Sequence, residues 1–244
     1  MAEVRLYVEH PLGAGQSVPL TGDQAHYLFA VMRMTVGAEL RVFNGREGEW
    51  SARIADAGRR AGRLVCLHQT RPLRLPPDLW LLFAPLKKAR TDFVVEKATE
   101  LGVARICPVR TDFTAAERVR VDRLRAHAVE ATEQCGGTAV PVVEDLVPLS
   151  TVLADWSADR ILFWADEAVA EDASAGKTAF GWSGPPGPAA ILIGPEGGFS
   201  AAERDRLSRM AHLRRAGLGP RVLRADTAAV AAITLWQAAL GDWR

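Results

Sequence analysis

The sequence predicts an α/β protein, a small strand-rich N-terminal domain followed by a larger domain around a parallel sheet. Three observations carry this. Up to about residue 70 the apolar residues come in short runs broken by turn residues, with one short helix among them. Arg71–Pro77 then holds three prolines in seven residues, a stretch that sustains neither helix nor central strand. Beyond it, strand-like runs alternate with helix-length stretches, the pattern of a parallel sheet covered on both faces.

The elements follow in order. Arg5–Glu9 and Ser17–Leu20 are expected strands. Thr21-Gly22-Asp23-Gln24 has the form of a capping box and should open a helix through Val31. Glu39–Phe43 runs into Asn44-Gly45, a two-residue hairpin signal, and Glu49–Ala55 and Arg63–Gln69 continue the pattern, with turns at Ala57-Gly58 and Gly62. Strands at this spacing suggest a small β-barrel. Leu79–Ala84 reads as a buried strand and Thr91–Leu101 as a helix with Phe93, Val94, Lys97, Ala98 and Leu101 on one side, ended by Gly102. Val103–Val109, Val140–Val143, Arg160–Trp164 and Ala189–Ile193 are further strands. Arg120–Gln134, ending at Gly136-Gly137, and a stretch near Leu149–Trp156 are further helices, and Ser174–Pro188 reads as an exposed loop.

Composition narrows the class. With 244 residues, 48% hydrophobic and 24% charged, the chain is an ordinary globular protein of one or two domains. The net charge of +1 decides nothing, because nucleic-acid binding needs a local basic surface. Through Leu75 ten arginines stand against seven acids, and the only lysines are Lys87, Lys88, Lys97 and Lys177. Cys66, Cys107 and Cys135 show no metal-ligand spacing, nor do His10, His26, His68, His127 and His212; no metal is expected. The N-terminus lacks the apolar stretch of a signal peptide, and no apolar run is long enough for a membrane span, so a cytoplasmic location is expected.

Two glycine-marked segments carry the chemistry. In Ala189–Glu203 (AAILIGPEGGFSAAE) a buried strand delivers Gly194-Pro195-Glu196-Gly197-Gly198, and Ser200 with Glu203 caps a new helix. Glycines there let a ligand approach the backbone, although a tight structural turn explains them equally well. The segment lacks both phosphate-loop patterns, and Glu196 would repel an anion. In Leu218–Ile233 (LGPRVLRADTAAVAAI) Gly219-Pro220 makes a turn, Arg221 and Arg224 lie three apart, and Asp226 or Thr227 is placed to cap an alanine-rich helix reaching about Leu240.

Together these segments resemble the paired C-terminal signature of the knotted SPOUT methyltransferases, and more narrowly the family that methylates N3 of a uridine in small-subunit ribosomal RNA. Tyr27–Phe43 followed by Asn44-Gly45 resembles that family's N-terminal RNA-binding barrel, and Val94–Val103 and Glu130–Pro141 resemble its first half-sheet. The resemblance covers nearly the whole chain. It implies a PUA-like β-barrel over residues 1–72 and a SPOUT-type trefoil-knot domain over 73–244, a homodimer, and S-adenosylmethionine bound within the knot. Carried onto this sequence, the adenosine lies against Ile193, Gly194, Glu196, Gly197, Leu218, Gly219, Val222 and Leu223. The partner implied is small-subunit ribosomal RNA or the 30S particle. Gly137 stands where relatives often have a basic residue that the resemblance would expect on RNA, and Ala225-Asp226 where a Thr-Glu pair is usual, so the acid is kept but one methylene shorter.

Methylation at uridine N3 leaves negative charge on the flanking carbonyl oxygens. A guanidinium can stabilise that charge but cannot take the proton. Arg224 is the expected stabiliser, with Arg221 as alternate, and Glu196 and Asp226 are the candidate bases. Arg5, Arg33, Lys87, Lys88, Arg90 and Arg221 are candidate RNA contacts. Two other readings remain open at this point: a SPOUT enzyme for another RNA position, such as a ribose 2′-hydroxyl or a tRNA base, and a non-catalytic RNA-binding assembly factor.

Overall fold

The structure, a computed structural model, describes residues 4–116, 118–166, 182, 184 and 187–243. They divide into two compact units: the described residues up to Leu75 together with Thr132–Val140, and Pro76–Ala131 together with the described residues from Pro141 onward. No local sequence pattern signals that Thr132–Val140 groups with the N-terminal residues.

The first unit is built on β1 (Arg5–Tyr7), β2 (Ser17–Leu20), α1 (Gly22–His26), a π-helical turn (Tyr27–Val31), β3 (Glu39–Phe43), β4 (Glu49–Ala57) and β5 (Gly62–Arg71). The sheet order is β1-β3-β4-β5-β2; β1 runs parallel to β3 and the other pairs are antiparallel. The capping box forms as expected: Gln24 N–H donates to Thr21 Oγ1 at 3.3 Å and Thr21 N–H to Gln24 Oε1 at 2.9 Å. The Asn44-Gly45 turn is larger than expected. Phe43 pairs with Glu49, so five residues make the loop, and Asn44 Oδ1 accepts from the N–H groups of Arg46 and Glu47. Gly48 is obligatory there, because at φ +76° a Cβ would lie 2.3 Å from the Arg71 carbonyl oxygen.

Glu49 is the charged centre of this unit. Its carboxylate accepts from Arg5 Nε at 2.8 Å, from Arg71 Nη2 at 2.5 Å and from Thr70 Oγ1 at 2.9 Å, and it is 4% exposed. Burial pushes the carboxyl up, but the bonds from Arg71, Arg5 and Thr70 outweigh it and bring it down to about 2. A folded value below the ordinary one means that the pairing stabilises the fold at neutral pH, and that this contribution is lost as pH falls from about 4.5 towards about 2. It is worth about 3 kcal/mol. Glu49→Gln is expected to lower stability to urea by that order at pH 7 and to flatten the loss of stability across that acid window.

The second unit contains β6 (Leu79–Phe83), α2 (Lys88–Glu100), β7 (Arg105–Arg110), α3 (Val121–Cys135, its last residues assigned to the first unit), β8 (Val142–Val143), β9 (Val147–Pro148), α4 (Leu149–Ala154), β10 (Ile161–Ala165), β11 (Ala189–Ile193), α5 (Ala201–Ser208), β12 (Leu213–Ala216) and α6 (Ala225–Ala239). Its sheet runs β12-β10-β11-β6-β7-β8, with β9 also on β7, and every pair is parallel. All five residues of β11 are buried, and the strand is inserted between β10 and β6. α6 packs on α2 and on β11, with Gln237 Nε2 donating to the Leu101 carbonyl at 2.6 Å.

Several expectations are corrected. α2 starts three residues early, and its buried face is Thr91, Asp92, Val94, Val95, Ala98 and Thr99, while Phe93 is exposed. β12 is an edge strand of sequence Leu-Arg-Arg-Ala that no apolar run announces. The N-cap of α6 is Arg224, without a side-chain cap bond. Asp226 lies inside the first turn, where its Oδ1 accepts from the Thr227 N–H at 2.8 Å and its charge suits the helix dipole. The expected loop at Ser174–Pro188 falls almost entirely outside the described residues.

Candidate functional site

The carboxyl ends of β10 and β11 open onto a cavity of about 430 Å³, the place where parallel sheets usually bind ligands. Its walls are Ala165 and Asp166 at the end of β10, Ile193–Gly198 at the end of β11 and beyond it, Leu218, Gly219 and Arg221–Arg224 after β12, and Ala225 and Ala228 on α6. All eight residues expected at the cofactor line it, as do Arg221 and Arg224; Asp226 does not.

Local chemistry fixes these walls. β11 is apolar throughout and stops at Gly194, where a Cβ would lie 2.7 Å from the Phe199 ring, so this glycine serves the packing of the turn. Ser200 then caps α5 in a box with Glu203. The same residues hold the segment after β7: Asp112 Oδ2 lies 2.5 Å from Ser200 Oγ, and Asp112 N–H donates to Glu203 Oε1 at 3.0 Å. Across from it, Gly219 adopts φ +101° with open space where a side chain would stand. The backbone groups of Glu196, Gly197, Gly219, Val222 and Leu223 bond to no other described residue and are available to a ligand.

Charge is distributed unevenly around the cavity. Asp166, its side chain fully buried, is held by Arg204 Nη2 at 2.7 Å and Arg215 Nε at 2.6 Å, and both guanidinium groups lie over the Trp164 ring. Sequence reasoning missed this residue, although a carboxylate at the end of a parallel strand is a recognisable signal. At the mouth, Arg221 and Arg224 are exposed. Arg90 of α2 lies 3.5 Å from both Glu196 Oε1 and Asp226 Oδ2, joining the two candidate bases.

The remaining RNA candidates separate. Lys87 and Lys88 are exposed at the start of α2. Arg33 is exposed beyond the π-helical turn in the left-handed region, φ 55°. Arg5 differs: four of its five N–H donors bond Glu49 and the carbonyls of Thr132, Glu133 and Gly137, and its guanidinium lies over the Phe43 ring, so it braces the first unit.

No cysteine serves this cavity. Cys66 and Cys107 are buried, and burial together with the Glu144 carboxylate pushes the Cys107 thiol up to about 12; Cys135 is exposed and in the first unit. An alkylating reagent at neutral pH is expected to label Cys135 rapidly in the folded protein and the other two only on unfolding, read by mass spectrometry. Among the described residues no cluster of His, Cys, Asp and Glu could hold a metal ion, and no helix is long and apolar enough to cross a membrane.

Residues 73–237 match the family model described as an RNA methyltransferase domain, and residues 20–65 one described as an RNA methyltransferase PUA domain. The chain is 30% identical over 230 residues to the ribosomal RNA small subunit methyltransferase E of Rickettsia conorii, covering 94% of this chain and 93% of that protein. It is 27% identical over 225 residues to the protein of that name from Bacillus subtilis, covering 88% and 87%. Among solved structures it is similar to the Neisseria gonorrhoeae ribosomal RNA small subunit methyltransferase E bound to S-adenosyl methionine, with TM-score 0.86, 25% identity, and 99% and 100% of the two chains covered. It is likewise similar to a Legionella pneumophila methyltransferase in complex with the same cofactor, with TM-score 0.88, 28% identity and the same coverage. A parallel-sheet domain with this cavity, preceded by a PUA-type domain and matched over its length by these proteins, belongs to the RNA methyltransferase family, in its ribosomal RNA small subunit methyltransferase E branch.

Proposed function

We propose that this chain transfers a methyl group from S-adenosylmethionine to N3 of a specific uridine in small-subunit ribosomal RNA, on the 30S particle or its RNA. The observation that carries the reading is the cavity itself. Apolar side chains, open backbone groups and a carboxylate wall suit an adenosine with a cationic sulfonium, while two unpaired guanidinium groups stand where an anionic RNA approaches. Its volume is in the range of small-molecule sites.

When bound, the cofactor supplies an electrophilic methyl carbon on a sulfonium. The chain holds the uridine in line with it, which accounts for much of the acceleration. The chain's own part in that transfer would be to accept the N3 proton on a carboxylate. Glu196 is the better placed base, since it lines the cavity while Asp226 does not and accepts from the Thr227 N–H in the first turn of α6. Arg224 faces the O2–C2–N3–C4–O4 edge of the base and stabilises the charge that gathers there.

The same reading includes a PUA-like barrel over 1–72 that grips RNA, a knotted domain over 73–244, a homodimer and a cytoplasmic location. Nucleoside mass spectrometry of small-subunit RNA tests it. A strain lacking the gene should lose 3-methyluridine and regain it on complementation; persistence of 3-methyluridine in the deletion strain sinks the reading. Loss of a 2′-O-methylnucleoside in its place would move the target to ribose.

A further inference from the structure

A second cleft, of about 460 Å³, lies in the second unit between the start of α2 and the segment leading into α3. Pro85, Leu86, Ala115, Ala116, Val119 and Leu124 give it apolar walls. Lys87, Lys88, Arg118, Arg120 and Arg123 surround them. Among the described residues one acid lines the cleft, Asp92, and it is turned to Arg123 and His127. Arg120 pairs with Asp122. The side chains of Lys87, Lys88 and Arg118 are exposed and make no hydrogen bond or ion pair with any described residue. Three unpaired cations around an apolar hollow are complementary to a phosphodiester attached to something apolar.

This cleft is joined to the cofactor cavity by the two segments that form it. From α2, one turn past Lys87, Arg90 reaches Glu196 and Asp226. From the other side, Phe113 lies against the glycine loop: a Cβ on Gly197 would be 3.2 Å from Phe113 Cβ. Phe113 is 52% exposed, a large apolar ring left in solvent between the two hollows. An exposed aromatic beside a cationic groove is the usual platform for an unstacked base.

We infer that the cleft seats a nucleotide of single-stranded RNA adjoining the one whose base enters the cofactor cavity. Its phosphodiester lies on Lys87, Lys88 and Arg118, its sugar and base occupy the apolar walls, and Phe113 stacks on the strand between them. A hollow of this size takes one nucleotide and excludes the convex backbone of a duplex. The inference rests on the RNA-methyltransferase reading above and deepens it by naming the form of RNA that the second unit grips.

The test is equilibrium binding of the full chain, with S-adenosylmethionine present, to a fluorescent single-stranded oligoribonucleotide of small-subunit sequence, by anisotropy across a salt series. Replacing Lys87, Lys88 and Arg118 together with glutamine should weaken binding 10- to 100-fold near 0.1 M salt. It should also reduce the slope of log affinity against log salt by about 2, three contacts at about 0.7 each. Ala116→Trp fills the hollow without changing charge and should weaken binding at least 10-fold. Cofactor affinity, measured by calorimetry, should be unchanged in both variants and reports that they are folded. A duplex of the same length, or uridine monophosphate, should compete weakly. If both variants bind as the parent does, or if duplex RNA loses affinity by the same factor as the single strand, the cleft is no nucleotide seat. Because the readout is binding, oligonucleotide held in the cleft by a protein that makes no 3-methyluridine keeps this inference and defeats only the proposed target.

Discussion

Arg224→Ala is expected to slow methyl transfer by about 10²- to 10³-fold, the cost of removing one preorganised donor from a developing oxyanion. Affinity for S-adenosylmethionine should stay within about threefold. The side chain lines the mouth of the cavity, is exposed, and pairs with no described residue, so its removal breaks nothing in the fold. Its backbone sits at the N-cap of α6 with φ −63° and ψ 150°, a conformation that alanine adopts, and its side chain makes no cap bond. A structural role would show as a lowered melting temperature; the catalytic role shows as a fall in kcat with melting unchanged. Arg224→Lys should restore part of the rate, since it keeps the charge but loses the planar fork that addresses two oxygens at once. Arg221→Ala, one turn of chain earlier, should act more on KM. Equal kcat losses for the two alanine variants would mean that neither is dedicated to the oxyanion.

How much of this site could be read from the sequence depends on where each residue's partners lie. β11 and the box at Ser200 are legible because their causes are local: an apolar run, a glycine, and an acid three residues beyond a serine. The Leu218–Arg224 wall is legible only as a turn. Its meeting with Ile193–Gly198 depends on β12 crossing to the far side of β10, and β12 hides because it is an edge strand with two arginines among its four residues, one of them turned to Asp166. The face of α2 is misread for a related reason. Hydropathy selects Phe93, yet the core takes Thr91, Asp92 and Thr99, whose polar atoms are satisfied by the Leu86 backbone, by Arg123 and by the Val95 carbonyl. Buried polar residues that carry their own partners are invisible to periodicity. Arg5 is the converse case: an isolated arginine reads as a surface charge until Glu49 and three carbonyls from distant positions are brought to it.

Asp166→Ala is expected to be the most destabilising change at the cavity, by about 3 kcal/mol, or roughly 6–12 °C in melting temperature for a chain of this size. The carboxylate is fully buried between Arg204 and Arg215, whereas those arginines are 29% and 50% exposed at the side chain. Removing the acid therefore takes a buried carboxylate from between two guanidinium groups beside the cavity wall, while removing either arginine leaves the other ion pair in place. The order expected is Asp166→Ala well above Arg204→Ala, with Arg215→Ala smallest. Asp166→Asn should not rescue fully, because one carboxylate acceptor becomes an N–H₂ group facing an arginine donor. The pairs share one residue, so Asp166→Ala with Arg215→Ala should cost less than the sum of the single changes. A functional consequence follows from sign alone. The wall loses its negative charge and keeps two positive ones next to the space where a sulfonium would lie, so cofactor affinity should fall at least tenfold at a temperature where the variant is still folded. Affinity for the neutral product, S-adenosylhomocysteine, should fall less. If both ligands lose affinity equally, Asp166 shapes the wall and contributes nothing to recognition of the charge.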